Sequence, residues 1–513
     1  MTIRQIIPYQ ILDSRGEPTL LVVMVSDSGK RAKFAVPSGS SFGNDEATEK
    51  RDGQGAYDGK GVLSCIELID NTIAPKFIGY PLDQLEDFDG LLIALDGSEK
   101  KENLGANTLL ALSGAYLKLS ALEKEQPLWQ YIAEHNNTSP EFPQLFASIV
   151  GGGTHAPGLE IQEFMIVPQN TAPSAATQVI YEVYHKVRGI MENLYGSSAQ
   201  LVGDEGGLAP VGTNTEVILE ALSQLNGKVS SKYEIALDAS GNNMYKDGLY
   251  NIETQKLHSS DLFKLYQDWD NKFNLYAIED PFAENDLEGS EIIKGMATKP
   301  KPFLLLADDY TVTSKAKIEQ LQPEMMFDGI VIKPNQVGTF TETFQAINAA
   351  RSSKAKVIIS QRIGETTDSL IADLAYGVGA MGLKIGAPAR GERIAKYNRL
   401  LEIEADLDTN QKQSGRDNVV IPPSSTEKAG NQSNQPIPAQ SQPQPVGAAA
   451  SATSYQAPKS PLTDTLPTST PSPAPVQPPS IAAPSTQPST PPTQQSASNN
   501  TPQSPKPTLG LNS

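Results

Sequence analysis

The chain has 513 residues, with 59 acidic against 41 basic side chains and a net charge of −18. That length suits two or three domains, and the acidic surplus argues against binding to nucleic acid or anionic lipid, both of which call for a basic face. Cys65 is the single cysteine, which excludes an intrachain disulfide framework, and no apolar run approaches signal-peptide length at the start or the roughly 20 residues of a membrane helix anywhere.

Residues 1–60 read as strands and loops. "TLLVVMVSDSGKRAKFAVP" predicts a hairpin turning at Asp27-Ser28-Gly29. Cys65 sits in the apolar "GVLSCIELI" and is expected in the core. Helical periodicity follows in "GANTLLALSGAYLKLSALEKE", with Asn103 as the expected cap. The polar stretch "EHNNTSPEFP" (134–143) divides a smaller N-terminal α+β domain, 1–133, from a second domain, 134–408.

Within 134–408 a strand, loop, helix pattern repeats. "SSKYEIALD" ends at Asp238, "NLYAIED" at Glu279, "PFLLLADD" at Asp308, "FDGIVIK" at Lys333 and "KVIISQR" at Arg362, while "MGLKIGAP" carries Lys384. Continuous apolar runs of this kind mark parallel strands buried on both faces, so the fold is α/β, a barrel or a doubly wound sheet. The strand ends favour the barrel. There all C-terminal strand ends open on one face, whereas in a doubly wound sheet only those near the switch point meet. From Thr409 to Ser513 the composition turns to Pro, Ser, Thr, Gln, Asn and Ala, with 21 of the 39 prolines and Tyr455 as the only aromatic. Such a segment cannot bury enough apolar area to offset its ordering entropy and is expected to be disordered.

Asp238, Glu279 and Asp308 would converge at a barrel mouth, and three carboxylates suit a hard divalent cation such as Mg²⁺. Lys333 would lie beside that cation with a lowered pKa, as a general base. "QLVGDEGGLAP" offers Glu205 in a glycine-rich turn as an acid from the opposite side. "GGGTHAPGLEIQEF" offers His155, Gln162 and Glu163.

Over about residues 4–407 the chain closely resembles the enolases (phosphopyruvate hydratases). The carrying motifs are "ILDSRGEPT", "AVPSGSSFGNDEA", "LGANTLLALSGA", "HAPGLEIQEFMIVP", "VGDEGGLAP", "IEDPFAEND", "ADDYTVTS", "IKPNQVGTFTE" and "GAPARGERIAKYNRLLEIE". The resemblance implies an N-terminal α+β domain, a (β/α)8 barrel, and reversible Mg²⁺-dependent dehydration of 2-phospho-D-glycerate to phosphoenolpyruvate in glycolysis and gluconeogenesis. It implies Asp238, Glu279 and Asp308 as metal ligands, with Ser41 on a second, substrate-dependent Mg²⁺. Lys333 resembles the base at C2 and Glu205 the acid at the C3 hydroxyl, supported by Glu163. Lys384 resembles the cation beside the substrate carboxylate, His155 the histidine that closes over the substrate, and Arg362 the grip on its phosphate. Gln162, Glu279 and Asp308 belong to the same substrate site. A homodimer or larger assembly and a cytoplasmic location, with a surface or secreted pool as the variant, are further expectations.

Five features depart from the family pattern. Ser-His-Arg-Ser-Gly-Glu-Thr has become Ser360-Gln361-Arg362-Ile363-Gly364-Glu365-Thr366, so Gln361 cannot carry charge and Ile363 donates nothing through its side chain. Phe42 replaces a loop threonine, the loop from His155 to Gln162 is one residue short, and "DASGNNMY" lacks the usual Ser-Glu-Phe. Hydrogen bonds to charged groups are worth roughly 1.5–3 kcal/mol each. The readings left open are a working enolase with another phosphate grip, an enzyme for a phosphate-free carboxylate, and an enolase-like body docked through its tail.

Overall fold

The computed structural model describes residues 1–39, 45–297, 301–325 and 327–417. The positions Ser41 and Phe42, and the expected disordered tail from residue 418 on, lie outside the described residues. The helix Gly391–Asp417 continues past 409, the expected start of that tail; the first proline after it is Pro422.

Strands β1 (Ile3–Leu12), β2 (Pro18–Ser26) and β3 (Arg31–Ala35) form an antiparallel three-stranded sheet. The expected turn is present, and Gly29 takes the left-handed φ of +91° that favours glycine there. The helix Ala106–Glu123 packs on this sheet and is buried on nearly every side. At Gly114 an added Cβ would overlap the Phe34 ring, so the close approach of helix and sheet depends on the missing side chain. Asn103 is not this helix's cap. The cap position is Gly105, and Asn103 Nδ2 instead donates to the carbonyl of Asp96 at 2.8 Å. Cys65 is buried in the core.

The second domain is a closed eight-stranded barrel. Its strands are β4 (Gln144–Gly151), β5 (Glu163–Pro168), β6 (Tyr233–Asp238), then, after a small sheet of β7 (Tyr245–Lys246), β8 (Leu249–Ile252) and β9 (Gln255–Leu257), β10 (Leu275–Glu279), β11 (Leu304–Ala307), β12 (Gly329–Ile332), β13 (Lys356–Ser360) and β14 (Gly382–Lys384). Strands β10 to β14 follow one another in parallel, and β14 closes onto β4. Their apolar runs are buried on both faces, as continuous hydrophobicity requires. The interior is a packed layer of Phe146, Met165, Val167, Ala236, Ala277, Leu306, Val331 and Ile358. Phe146 fills the axis because β14 contributes Gly382, where a Cβ would overlap the Phe146 ring.

One strand departs from an all-parallel barrel. β5 runs antiparallel to both β4 and β6. Its beginning, not its end, therefore lies at the mouth where the other strands finish.

Candidate active site

Asp238 and Glu279 are the last residues of β6 and β10, Asp308 and Lys333 follow β11 and β12 directly, and Lys384 ends β14. Arg362 stands two residues beyond β13. Reversed β5 brings Glu163 in at its first residue, in register with Asp238, which is in turn in register with Glu279. The result is a row of three carboxylates across adjacent strands. Glu205 and His155 close the mouth from loops, with His155 Nδ1 3.7 Å from Glu205 Oε2. His155, Gln162, Glu163, Glu205, Asp238, Asp308, Lys333, Gln361, Arg362, Ile363 and Lys384 all border one cleft. Glu279 lies beneath it with no exposed surface.

The cations stand against the acids. Lys384 Nζ is 3.0 Å from Glu163, 3.1 Å from Asp238 and 2.8 Å from Glu279. Burial opposes its charge, but the three carboxylates outweigh burial and hold its pKa well above the ordinary lysine value. Lys333 Nζ is paired with Asp308 Oδ2. The lowered pKa expected for Lys333 is not found. Burial pulls it down, yet contact with Asp308 pushes it above the usual value. Asp308 shows the converse, since burial raises its pKa and the Lys333 ammonium more than reverses that. Burial drives the acids without a dedicated cation upward, Glu163 to about 7 and Glu205 in the same direction. Burial likewise lowers His155 to about 4, so its imidazole is neutral at neutral pH.

The carboxylates fit a hard divalent cation. Among the described residues, buried Glu279 Oε1 accepts no hydrogen bond, while Oε2 lies 2.8 Å from Lys384 Nζ. An all-oxygen set of this kind suits Mg²⁺. The three predicted ligands do not by themselves close on one point. Among the described residues, the groups gathered within 4.8 Å are His155, Glu163 and Glu205, and Asp280, Asp308 and Asp309. Asp280 accepts from the backbone amides of Asp308 (3.0 Å) and Asp309 (2.8 Å) and so sets the turn after β11. Sequence reading missed Asp280 and Asp309, although each directly follows a residue it singled out.

It also missed Glu46, whose carboxylate pairs with the Arg362 guanidinium at 3.4 Å. Asn335 accepts from the same group at 3.1 Å. Gly39 packs against it so closely that an added Cβ would overlap Arg362 Nη2. Ser38 and Gly364 exchange backbone hydrogen bonds of 2.7 and 3.0 Å, tying the N-terminal domain's loop to the mouth. Gln162 donates to Asp238 at 3.3 Å and accepts from Thr154 (2.8 Å) and Asn243 (3.1 Å). Asn243 belongs to the divergent "DASGNNMY" segment, and its neighbour Asn242 donates to Asp309 at 2.8 Å. Asn242 thus puts a neutral donor on an acid, and Asn243 one on the Gln162 amide, at the cleft's edge.

The divergent pair beside Arg362 is buried. Gln361 Oε1 accepts from Nη1 of Arg393, a residue with no exposed surface. Ile363 presents an apolar side chain to the cleft while its carbonyl accepts from Arg393 Nη2 at 2.6 Å.

A closed barrel whose C-terminal mouth gathers acids, two lysines and a buried arginine defines an enzyme for a small anionic molecule. Residues 3–132 match the family model described as "Enolase, N-terminal domain", and residues 141–421 match "Enolase, C-terminal TIM barrel domain". Curated proteins named enolase are similar to the chain. That of Elusimicrobium minutum is 41% identical, covering 79% of this chain and 96% of its own length. Those of Methanocaldococcus jannaschii and Aeropyrum pernix are 37% and 36% identical over 79% of this chain, with 95% and 94% of their own lengths covered. The chain belongs to the enolase family. It is accordingly a hydro-lyase acting on a small molecule.

Proposed function

We propose that the protein reversibly dehydrates 2-phospho-D-glycerate to phosphoenolpyruvate with Mg²⁺, as a step of glycolysis and gluconeogenesis. The observation that carries this reading is the placement of Lys333 and Lys384 in one buried cleft with Glu163 and Glu205, above the buried carboxylate of Glu279. Asp238, Glu279 and Asp308 would hold the metal, with Ser41 as a ligand of a second one. Bound there, Mg²⁺ supplies Lewis-acid polarisation of the substrate carboxylate.

Lys333 Nζ, which Asp308 holds protonated in the free protein, must first release that proton to solvent; as the neutral amine it then takes the proton from C2. The electron pair released at C2 forms the C2–C3 double bond as the C3 hydroxyl departs. Glu205 gives that hydroxyl a proton, so that water leaves, and burial favours the protonated form this step needs. Glu163 supports Glu205, Lys384 neutralises the substrate carboxylate, neutral His155 covers the substrate with Gln162 at the rim, and Arg362 holds the phosphate. A homodimer or larger assembly in the cytoplasm, with no nucleic-acid partner, belongs to the same proposal.

The test is phosphoenolpyruvate formation by the purified chain in Mg²⁺ and in chelator. Metal-dependent turnover supports the reading, and its absence refutes it. A second reading, an enzyme for a phosphate-free carboxylate, draws on the apolar Ile363 at the cleft wall. It requires phosphate-free acids to compete with 2-phosphoglycerate at similar concentrations.

A further inference from the structure

Gln361 is the divergent residue whose side chain is held in one definite orientation. Arginine has donors and no acceptor, so an amide facing Arg393 Nη1 must present its oxygen. The amide nitrogen then points the other way. Among the described residues Nε2 has no acceptor, and Gln361 borders the cleft. The seat is built for this arrangement. Arg393 is fully buried and also donates to the carbonyls of Arg362 and Ile363 and, at 3.1 Å, of Asp204. It therefore fixes both residues that follow Gln361. Opposite it lies Gly386, with φ +76°, where an added Cβ would sit 3.2 Å from both amide atoms and 3.0 Å from Arg393 Cδ. A side chain at Gly386 would crowd the amide out of its place.

We infer that Arg393 is a positioning residue that turns the Gln361 amide nitrogen into the cleft, so that Gln361 serves with Arg362 as a donor to the ligand's phosphate and determines specificity for it. This rests on the phosphate-bearing substrate proposed above. It gives the anion a neutral donor in this chain where Ile363 offers none. An amide donor keeps its charge state at every pH, unlike an imidazole.

The test uses the full chain with Mg²⁺, steady-state kinetics on 2-phosphoglycerate, and calorimetric binding of inorganic phosphate to the same proteins. Gln361→Met removes the donor and keeps the bulk. KM and the phosphate Kd are expected to rise together, on the order of tenfold to a hundredfold for a lost hydrogen bond to a charged group, while kcat changes by no more than a few-fold. Gln361→Glu keeps the acceptor for Arg393, and so the fold, but replaces the donor with a negative oxygen; it is expected to bind phosphate more weakly still. If Gln361→Met leaves KM and phosphate Kd within twofold, the donor role is wrong, even if Gln361→Glu weakens binding through its charge. Arg393→Lys is expected to raise KM in the wild-type background and to add little in the Gln361→Met background. Additive effects would show that Arg393 acts on the fold and not through Gln361. Wild-type protein that binds phosphate through Gln361 yet forms no phosphoenolpyruvate would overturn the proposed reaction and leave this inference standing.

Discussion

Replacing Lys384 with methionine should destabilise the protein when no divalent cation is supplied, and by an amount that grows with pH. Methionine keeps the stem's volume and removes the ammonium that lies 2.8–3.1 Å from Glu163, Asp238 and Glu279. All four side chains are at most 5% exposed. Breaking a buried ion pair costs about 3–5 kcal/mol, because the partner is left charged in a poorly solvated place. The acids can escape part of that cost by binding protons. Glu163 and Glu279 already have raised folded-state pKa values even with Lys384 present, and losing the lysine raises them further. An acid whose folded pKa exceeds its unfolded value stabilises the fold at low pH and loses that contribution as pH rises through the folded pKa. Every tenfold gain in a carboxylate's proton affinity on folding is worth about 1.4 kcal/mol. The variant's deficit is therefore expected to be about 1–2 kcal/mol at pH 5.5 and to reach about 3–5 kcal/mol at pH 8. Urea unfolding in chelator at both values measures it, and added Mg²⁺ should shrink the deficit at pH 8. A deficit that stays below 1 kcal/mol at pH 8, or that does not vary with pH, refutes the reasoning.

Asp89, fully buried, accepts from Ser113 Oγ and from the Thr341 amide, both at 3.0 Å, and burial lifts its pKa to about 7. Its contribution to stability is thus lost as pH rises from about 4 to 7, so Asp89→Asn should flatten the urea midpoint over that range; an unchanged slope counts against it. Lys333→Ala should lower kcat in Mg²⁺ by roughly 10²–10⁴-fold, and residual turnover within tenfold would remove Lys333 from the role of base. Gly39→Ala would force Arg362 Nη2 aside and should raise KM for 2-phosphoglycerate several-fold without lowering kcat to match; an unaltered KM would show that the guanidinium can relocate. A chain ending at residue 423 retains both family-matched segments and should turn over at the full rate, and a folded but inactive truncation would assign the tail a part in catalysis.

The barrel was legible because parallel strands buried on both faces leave an unmistakable trace, an apolar run that stops at a charge. Six such ends, from Asp238 to Lys384, located the mouth from the sequence alone. Glu163 was legible as a chemical group but not as a neighbour of Asp238, since nothing local says that β5 runs backwards. The helix cap at 103 failed for a different reason. Asn103 has the right side chain, but tertiary contact with Asp96 claims it, and Gly105 makes the turn.

What the sequence determined by itself is the inventory: which acids, lysines and arginine stand at strand ends, and which positions break the family pattern. Those properties are local, set by periodicity and by residue chemistry. What only the tertiary structure decided is pairing. Arg362 meets Glu46 across 316 residues and Gln361 meets Arg393 across 32, and no local pattern encodes such a contact. Protonation follows pairing, because a buried group takes its pKa from whatever charge lies against it. That is why Lys333, read from its position as a lysine of lowered pKa, is instead held protonated by Asp308.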